Sequence, residues 1–458
     1  MSYYAYVCKI DNLRKHPNAD RLQLGECFGN TVCVDMSYAA GEVGIYFPTD
    51  GQLSVEFAEY NNLLRKKDDA GNSIGGYMDP NKRNVTSIRL RGEKSDGLYL
   101  HLDFISYTKA EVKEGDSFTM LNGHEICQKY IPRSHKQPYE NKVKGNRTRK
   151  RKVPIAPLFV EHADTEQLAY NLGAFHPGDY VEITLKMHGT SQRTGRVPTF
   201  VEYKRSFLDW LLRRPGTPVY DWGYVSGTRR TVLENFDGGY YGSNAFREQH
   251  AKFFEGKLHK GEEVYYEVVG FTDTGASIMG VVSNKKLNDK AFVKQYGEMT
   301  TFSYGCSPTG YMTYEDGSHD ALPQSDFYVY RMTMTNEDGD IVEYTPDYMR
   351  YRCAQMGCKC VPLLWSGIIP AHTGDEAAIS LGQDAGAWIK AKAEEFYDGP
   401  DPIGKTHVRE GVVCRIVNRP AFTAYKHKNF AFKCLEGICK AEETEPDMEE
   451  AEEVKDEA

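Results

Sequence analysis

The pattern of apolar and polar positions divides the chain into regions of different kinds. Up to about residue 125, short β-like runs such as Val32-Cys33-Val34 and Gly44-Ile45-Tyr46-Phe47 are punctuated by glycine and asparagine. The stretch from Tyr60 to Arg83 is polar and reads as a loop inserted among those strands. From about 156 to 440, strand-like and helix-like stretches alternate. Within that region Val181-Glu182-Ile183-Thr184-Leu185-Lys186 has period 2, which puts Val181, Ile183 and Leu185 on one face and Glu182, Thr184 and Lys186 on the other. Farther on, Trp388, Ile389, Ala393 and Phe396 share one face of a predicted helix, and Val408 to Ile416 reads as a strand. Mixed elements of this kind predict an α+β chain of two or three domains. No apolar run is long enough to span a bilayer, and no internal repeat is visible. The opening residues have neither a basic lead nor an apolar stretch, so a soluble, cytoplasmic protein is expected, without a signal peptide and without a membrane partner.

Charge changes this picture locally. The net charge of -9 comes from 56 Lys and Arg against 65 Asp and Glu. Residues 441 to 458 hold ten acidic residues and one lysine, which leaves 55 against 55 in the rest. That acidic tail lacks apolar residues and reads as disordered. Residues 129 to 152 hold ten Lys and Arg and one Glu, ending in Arg147-Thr148-Arg149-Lys150-Arg151-Lys152. A segment this basic suits a polyanion such as a nucleic-acid backbone, and Arg147, Arg149, Lys150, Arg151 and Lys152 are its candidate contacts. A solvated basic linker is the competing reading. The eleven cysteines show no disulfide pattern. Cys353, Cys358 and Cys360 cluster with a spacing that matches no common zinc module, which favours reduced thiols.

The candidate chemistry starts at Lys186, where a strand runs into the turn His188-Gly189. Lys186-Met187-His188-Gly189-Thr190-Ser191 resembles the nucleotidyl-transfer motif of ATP-dependent RNA ligases. Five further stretches resemble that family's motifs in its order. Ser226-Gly227-Thr228-Arg229-Arg230 is similar to the basic element that contacts phosphate, with Arg229 preferred over Arg230. Val264-Tyr265-Tyr266-Glu267-Val268 is similar to the strand whose carboxylate binds the ribose. Asp326-Phe327-Tyr328-Val329-Tyr330 is similar to the element whose ring stacks on adenine, at Phe327. Glu410-Gly411-Val412-Val413 and Ala424-Tyr425-Lys426-His427-Lys428 complete the set, with Lys426 and Lys428 on one face of a strand. Gly399 to Thr406 formally satisfies the P-loop pattern. It carries two prolines where backbone N–H groups are needed, and it follows a helix and precedes a strand, the reverse of a P-loop.

Toward the N-terminus, His16-Pro17-Asn18-Ala19-Asp20-Arg21-Leu22 and Arg91-Gly92-Glu93-Lys94-Ser95-Asp96-Gly97-Leu98 resemble the signatures of the OB-fold module of tRNA-binding proteins, a small β-barrel that binds RNA. Together the resemblances imply an N-terminal OB-fold β-barrel over 1–125, a basic linker over 126–155, a mixed antiparallel-sheet nucleotidyltransferase domain over 156–440 and the acidic tail over 441–458. They imply the branch of RNA ligases with its OB domain at the N-terminus. ATP and Mg²⁺ or Mn²⁺ are then the expected cofactors, and RNA with 5′-phosphate and 3′-hydroxyl ends, as in a nicked duplex, the expected partner.

The implied roles are a nucleophile at Lys186 and phosphate-directed cations at Lys426, Lys428 and Arg229. Glu267 would bind ribose, and Glu410 and Glu267 would position metal. Arg193, on the turn after Lys186, is expected to reach ribose or phosphate, or else to lie on the surface. His188, in place of the aspartate of the commoner motif, is expected only to orient the turn. Two departures matter. Only about 30 residues follow Lys428, too few for the OB domain that DNA ligases and capping enzymes place there. Arg331 stands where relatives commonly carry an acidic residue. A ligase for nicked DNA or hybrid duplex, a GTP-dependent capping enzyme and a non-catalytic RNA-binding protein remain as alternatives.

Overall fold

The computed structural model describes residues 3–49, 51–67, 73–91, 93–130, 154–162, 165–211, 216–233, 236, 241, 244–287, 289–314, 316–370 and 383–436. The basic residues Arg147, Arg149, Lys150, Arg151 and Lys152 and the acidic tail lie outside them. The described residues fall into two compact units, 3–130 with 433–436, and 154–432.

In the first unit, alternating apolar residues build small antiparallel sheets. Val43–Phe47 lies between Ala5–Lys9 and Leu98–His101, and Leu22–Cys27 lies between Asp11–Lys15 and Asn30–Asp35. Ala5, Val7, Ile45 and Phe47 point into a common core with Leu53, Phe57 and Leu100. The two N-terminal motifs meet here. Asn18 donates from its side-chain amide to the Arg91 carbonyl (2.9 Å), Arg91 donates back to the Asn18 carbonyl (3.2 Å), and buried His16 lies 3.0 Å from the Leu90 carbonyl. Two expectations are corrected. The linker does not start at 126, because Ile126 is buried and Cys127–Lys129 pairs antiparallel with Gly51–Leu53. The 60–83 stretch is not simply an inserted polar loop, because Leu63, Leu64 and Met78 enter the core.

The second unit holds two sheets. One has the order Glu166–Gln167, Thr423–Lys428, Gly411–Ile416, Tyr180–Lys186, Leu363–Ile368. The other runs Val232–Leu233, Thr217–Gly227, Thr190–Lys204, Glu262–Gly270, Ser325–Thr335, Ile341–Glu343, with Lys359–Cys360 added parallel to Ser325–Thr335. The short turn between Lys186 and Thr190 carries the chain from one sheet to the other. Period 2 fixes the faces of the first sheet: Val181, Ile183, Val412, Cys414 and Ile416 point outward, where helix Gln383–Glu394 covers them with Ala385, Ile389 and Ala393. Glu182, Thr184, Lys186 and Lys426 are left on the opposite face, where they line a pocket. The P-loop look-alike follows that helix and precedes the Gly411–Ile416 strand. Its Ile403 and Gly404 N–H groups are satisfied by Asp401, so they do not face a phosphate.

Ile389 is fully buried between helix and sheet. Ile389→Ala is expected to cost about 2–5 kcal/mol of stability, measurable as a fall in Tm.

Candidate active site

Three neighbouring strands bring the central charges together. Lys186 is paired across the sheet with Gly411, and Gly411 with Lys428. Glu410, one residue before that glycine, is 1% exposed, and its Oε1 lies 2.7 Å from Lys186 Nζ and 3.1 Å from Lys428 Nζ. Its Oε2 lies 3.7 Å from His188 Nδ1. Burial alone would push the Glu410 carboxyl up. The charges of Lys186, Lys428 and His188 and the Lys186 hydrogen bond outweigh it, and the carboxyl is held below its ordinary value. Gly411 makes the approach possible: a Cβ there would sit 2.1 Å from the His427 carbonyl oxygen.

The turn after Lys186 is clamped. The His188 N–H donates to the Tyr304 hydroxyl (2.8 Å), and the His188 ring stands edge-on between Phe302 and Phe432. Burial keeps the Tyr304 phenol protonated. A Cβ on Gly189 would meet the Val268 carbonyl at 2.3 Å, so only glycine lets the turn pass this close to the neighbouring sheet. Arg247, fully buried, then fixes the outgoing strand by donating to Thr190 Oγ1 (2.6 Å) and the Ser191 carbonyl (3.0 Å). The His188 backbone and ring are thus held firmly in the turn.

The pocket between these strands has about 990 Å³ of empty space, its open mouth included. This is the upper end of the range of roughly 300–1,000 Å³ for small-molecule sites. Lys186, Lys426, Arg229, Arg350 and Arg415 supply cations, Glu182 and Glu267 carboxylates, and His162, Tyr330 and Phe422 rings. Glu182 is held by both terminal nitrogens of Arg350, at 2.9 and 2.7 Å. Arg229 lines the pocket, whereas Arg230 is exposed.

Two expectations fail, each for a readable reason. Phe327 does not reach the pocket. It pairs with Val268, whereas Glu267 pairs with Tyr328, so Phe327 lies on the far face of the sheet, packed on His250, Phe253, Phe254 and Tyr266. The strand has a bulge between Val329 and Arg331, and the extra residue, Tyr330, turns into the pocket beside His162, with its hydroxyl 3.0 Å from Ser191 Oγ.

Arg193 is neither a ligand contact nor a surface residue. It is 1% exposed, stacks on Phe159 at 3.9 Å, pairs with Glu263 at 3.3 Å, and donates to the carbonyls of Thr228, Arg230 and Val160. Its contacts bracket Arg229, so it is a positioning residue. Glu410 lies outside the pocket lining, with Oε1 shared by two lysines and Oε2 facing His188.

Sequence reasoning missed His162, Arg350, Arg415 and Phe422. Arg415 had a signal, since period 2 places it with Val413 on the inward face of its strand; the others come from connecting segments and a helix. Arg331, the departure from the family pattern, pairs with Glu343 at 2.9 Å and stacks on Tyr265 and Phe422 behind the pocket.

No family model and no curated protein matches the sequence. Solved structures do match. A lysine-to-alanine variant of the Naegleria gruberi RNA ligase with ATP and Mn aligns over 95% of this chain and 98% of its own, at 17% identity and a TM-score of 0.54. The same ligase with PPi aligns over 94% and 97%, at 16% identity and a TM-score of 0.54. A glutamate-to-alanine variant with AMP and Mn aligns over 93% and 97%, at 16% identity and a TM-score of 0.52. The chain shares the fold of these RNA ligases. The shared fold spans both units of the chain rather than the pocket-bearing unit alone.

Arg193→Ala strands the buried Glu263 carboxyl and is expected to cost about 3–5 kcal/mol of stability, whereas Arg230→Ala leaves Tm unchanged. The Glu410 carboxyl is depressed below 4.5 in the folded state. Its ion pairs therefore stabilise the protein above that pH, and this contribution is lost as pH falls through the folded value. Thermal scans should show a smaller acid-induced fall in Tm for Glu410→Gln than for wild type.

Proposed function

We propose that this protein is an ATP-dependent RNA ligase that works through a lysyl-AMP intermediate. The observation that carries the reading is convergence: Lys186, Arg229, Glu267 and Lys426, up to 240 positions apart, line one pocket. The fold shared with the Naegleria gruberi ligase over 95% of the chain supports the same reading.

The geometry suggests how the first step proceeds. Lys186 and Lys428 share the Glu410 carboxylate, which holds both amines at the edge of the pocket. Loss of a proton from Lys186 to water frees the nitrogen lone pair for attack. A new N–P bond forms to the α-phosphorus of ATP, the bond to the β-phosphate oxygen breaks, and pyrophosphate leaves. Lys426 and Arg229 are placed to stabilise the charge that builds on the phosphoryl oxygens. Tyr330, His162 and Phe422 offer the rings for the base, and Glu267 the carboxylate for the ribose.

Magnesium retains several of its waters and needs only one or two protein carboxylates beside a triphosphate. Glu267, on the pocket wall, suits that role better than Glu410, whose charge the lysines already use. The metal would neutralise phosphate charge. AMP then passes to an RNA 5′-phosphate, and a 3′-hydroxyl seals the strand with release of AMP.

The first unit supports RNA binding of the OB type, since its two signature motifs touch through Asn18 and Arg91. The basic run from Arg147 to Lys152 would extend that contact along the backbone, at a nick in a duplex. The ten described cysteines are free thiols, in keeping with a reducing cytoplasm.

Incubation with α-labelled ATP and a divalent metal should label the wild-type chain, with peptide mapping placing AMP on Lys186. Lys186→Ala should abolish the label, and absence of label in the wild type would leave only the non-catalytic reading. Tyr330→Ala should raise the ATP concentration needed for labelling, by about five- to tenfold for loss of a stacking contact of roughly 1–1.5 kcal/mol. Phe327→Ala should instead lower Tm. Neutralising Arg147, Arg149, Lys150, Arg151 and Lys152 together should weaken RNA binding and flatten its salt dependence while labelling persists. Sealing of nicks with an RNA or a DNA 3′-hydroxyl strand, run in parallel, tests the choice of RNA.

A further inference from the structure

One ribbon of the second unit projects past the sheet it belongs to. Thr190–Lys204 pairs with Glu262–Gly270 only as far as Gly195. From Arg196 onward its one ladder among the described residues is with the 217–224 part of Thr217–Gly227. At about 3.3 Å per residue this free part extends roughly 30 Å.

Its two faces differ. Register puts Arg196 opposite Tyr224, Pro198 opposite Trp222 and Phe200 opposite Tyr220, all on one face. A bulge at Val201 then shifts the phase, so that Tyr203 joins the same face. The Phe200 ring lies 5.0 Å from that of Tyr203 and 6.1 Å from that of Tyr220. The Lys260 ammonium stands 5.4 Å from the Trp222 ring centre, and the Arg196 guanidinium 5.8 Å from that of Tyr224. The carboxylates go elsewhere. Glu202 and Asp221 fall on the opposite face, and Asp209, at the tip, accepts from the N–H and hydroxyl of Ser206.

The tip is apolar and open. Its short helix, Phe207–Leu211, presents Phe207, 75% exposed, and Trp210, 66% exposed, with ring centres 5.9 Å apart. Rings flanked by cations and cleared of carboxylates suit unpaired nucleotides, since each base offers a π-face and each phosphate a negative charge. The chain also reaches the ribbon directly from its most basic stretch. The Phe200 N–H donates to the Ile155 carbonyl (2.6 Å) and the Tyr220 hydroxyl to the Pro154 carbonyl (3.3 Å). One residue separates Pro154 from the basic run 147–152.

We propose that this ribbon is a binding site for single-stranded RNA, separate from the nucleotide pocket, on which unpaired bases stack. Phe207 and Trp210 take bases at the tip, and Lys260 and Arg196 meet phosphates along the ring face. The strand that begins at Thr190, just after the Lys186 turn, reaches Lys204 up to about 45 Å away. The RNA held there is therefore a stretch remote from the ends being joined.

The choice of RNA rests on the ligase reading, and the test separates the two claims. The full chain is titrated into a fluorescently labelled, 5′-hydroxyl single-stranded RNA of about 12 nucleotides and into a blunt RNA duplex of equal length, with anisotropy as the readout. Phe207→Ala and Trp210→Ala should each raise the single-strand Kd about fivefold or more, as loss of one base-stacking ring does. Duplex Kd and Tm should not change, because both rings are open to solvent and duplex bases are already stacked. An RNA with abasic sites in place of its bases should bind wild type and the Phe207→Ala/Trp210→Ala double variant equally. Lys260→Ala should flatten the salt dependence.

Equal losses on single strand and duplex, or no loss on either, overturn the proposal. So does a double variant that keeps its RNA affinity but loses a wild-type affinity for phosphatidylserine vesicles or for a second copy of the chain. AMP labelling of the wild type is measured in parallel. A chain that takes up no AMP yet loses single-stranded RNA with its rings refutes the ligase reading alone. One that takes up AMP and binds RNA regardless of its rings refutes this proposal alone.

Discussion

A carboxylate with almost no contact with solvent needs cations, and Glu410 finds two of them on the strands that flank its own. Much of the second unit follows from that requirement. The strands ending in Lys186 and Lys428 must lie on either side of the one that begins just after Glu410, in a register that brings all three ends level. Breaking either ion pair would leave a buried charge exposed to a low-dielectric surrounding, at a cost of several kcal/mol. The same electrostatic demand that makes the arrangement stable also concentrates positive charge at the edge of a pocket. The stability of the sheet and the positive charge at the pocket edge here have a common source.

The division of labour between the two sheets is equally economical. Lys186 ends one strand, and Ser191, three residues after His188, already pairs with Glu267 in the other sheet. A lysine and a carboxylate from different sheets are thereby held apart by only a short turn. That turn is rigid because its backbone and ring are engaged by Tyr304, Phe302 and Phe432. Arg193 extends the same logic outward: it reaches nothing in the pocket, yet it fixes the carbonyls on both sides of Arg229.

How much of this was legible in the sequence depended on the range of the interaction. Period 2 assigned the faces of the Lys186 strand and the Lys426–Lys428 strand correctly, because alternation is a local property. Helix Gln383–Glu394 was likewise visible from its apolar stripe. The P-loop look-alike could be rejected from its prolines and from the order of its flanking elements. Phe327 failed because motif position does not fix the face: it pairs with Val268 on the far side, whereas Tyr330 is in phase with Tyr328 on the face of Glu267. Arg193 failed because its partners, Phe159, Val160 and Glu263, lie more than 30 positions away on either side. The start of the linker failed because a strand of three residues, Cys127–Lys129, carries too little pattern to register.

Gly411 is usually the sort of residue that goes unmentioned, having no side chain to contribute. Yet its α-carbon lies where a single methyl would strike the backbone of the Thr423–Lys428 strand. The separation of the two lysines is thus set by a missing atom rather than by any contact. Substituting alanine would act as a wedge: the three charges would remain on the chain, but the strands that carry them would be pried out of level. A site can be dismantled in this way without altering any of its functional groups.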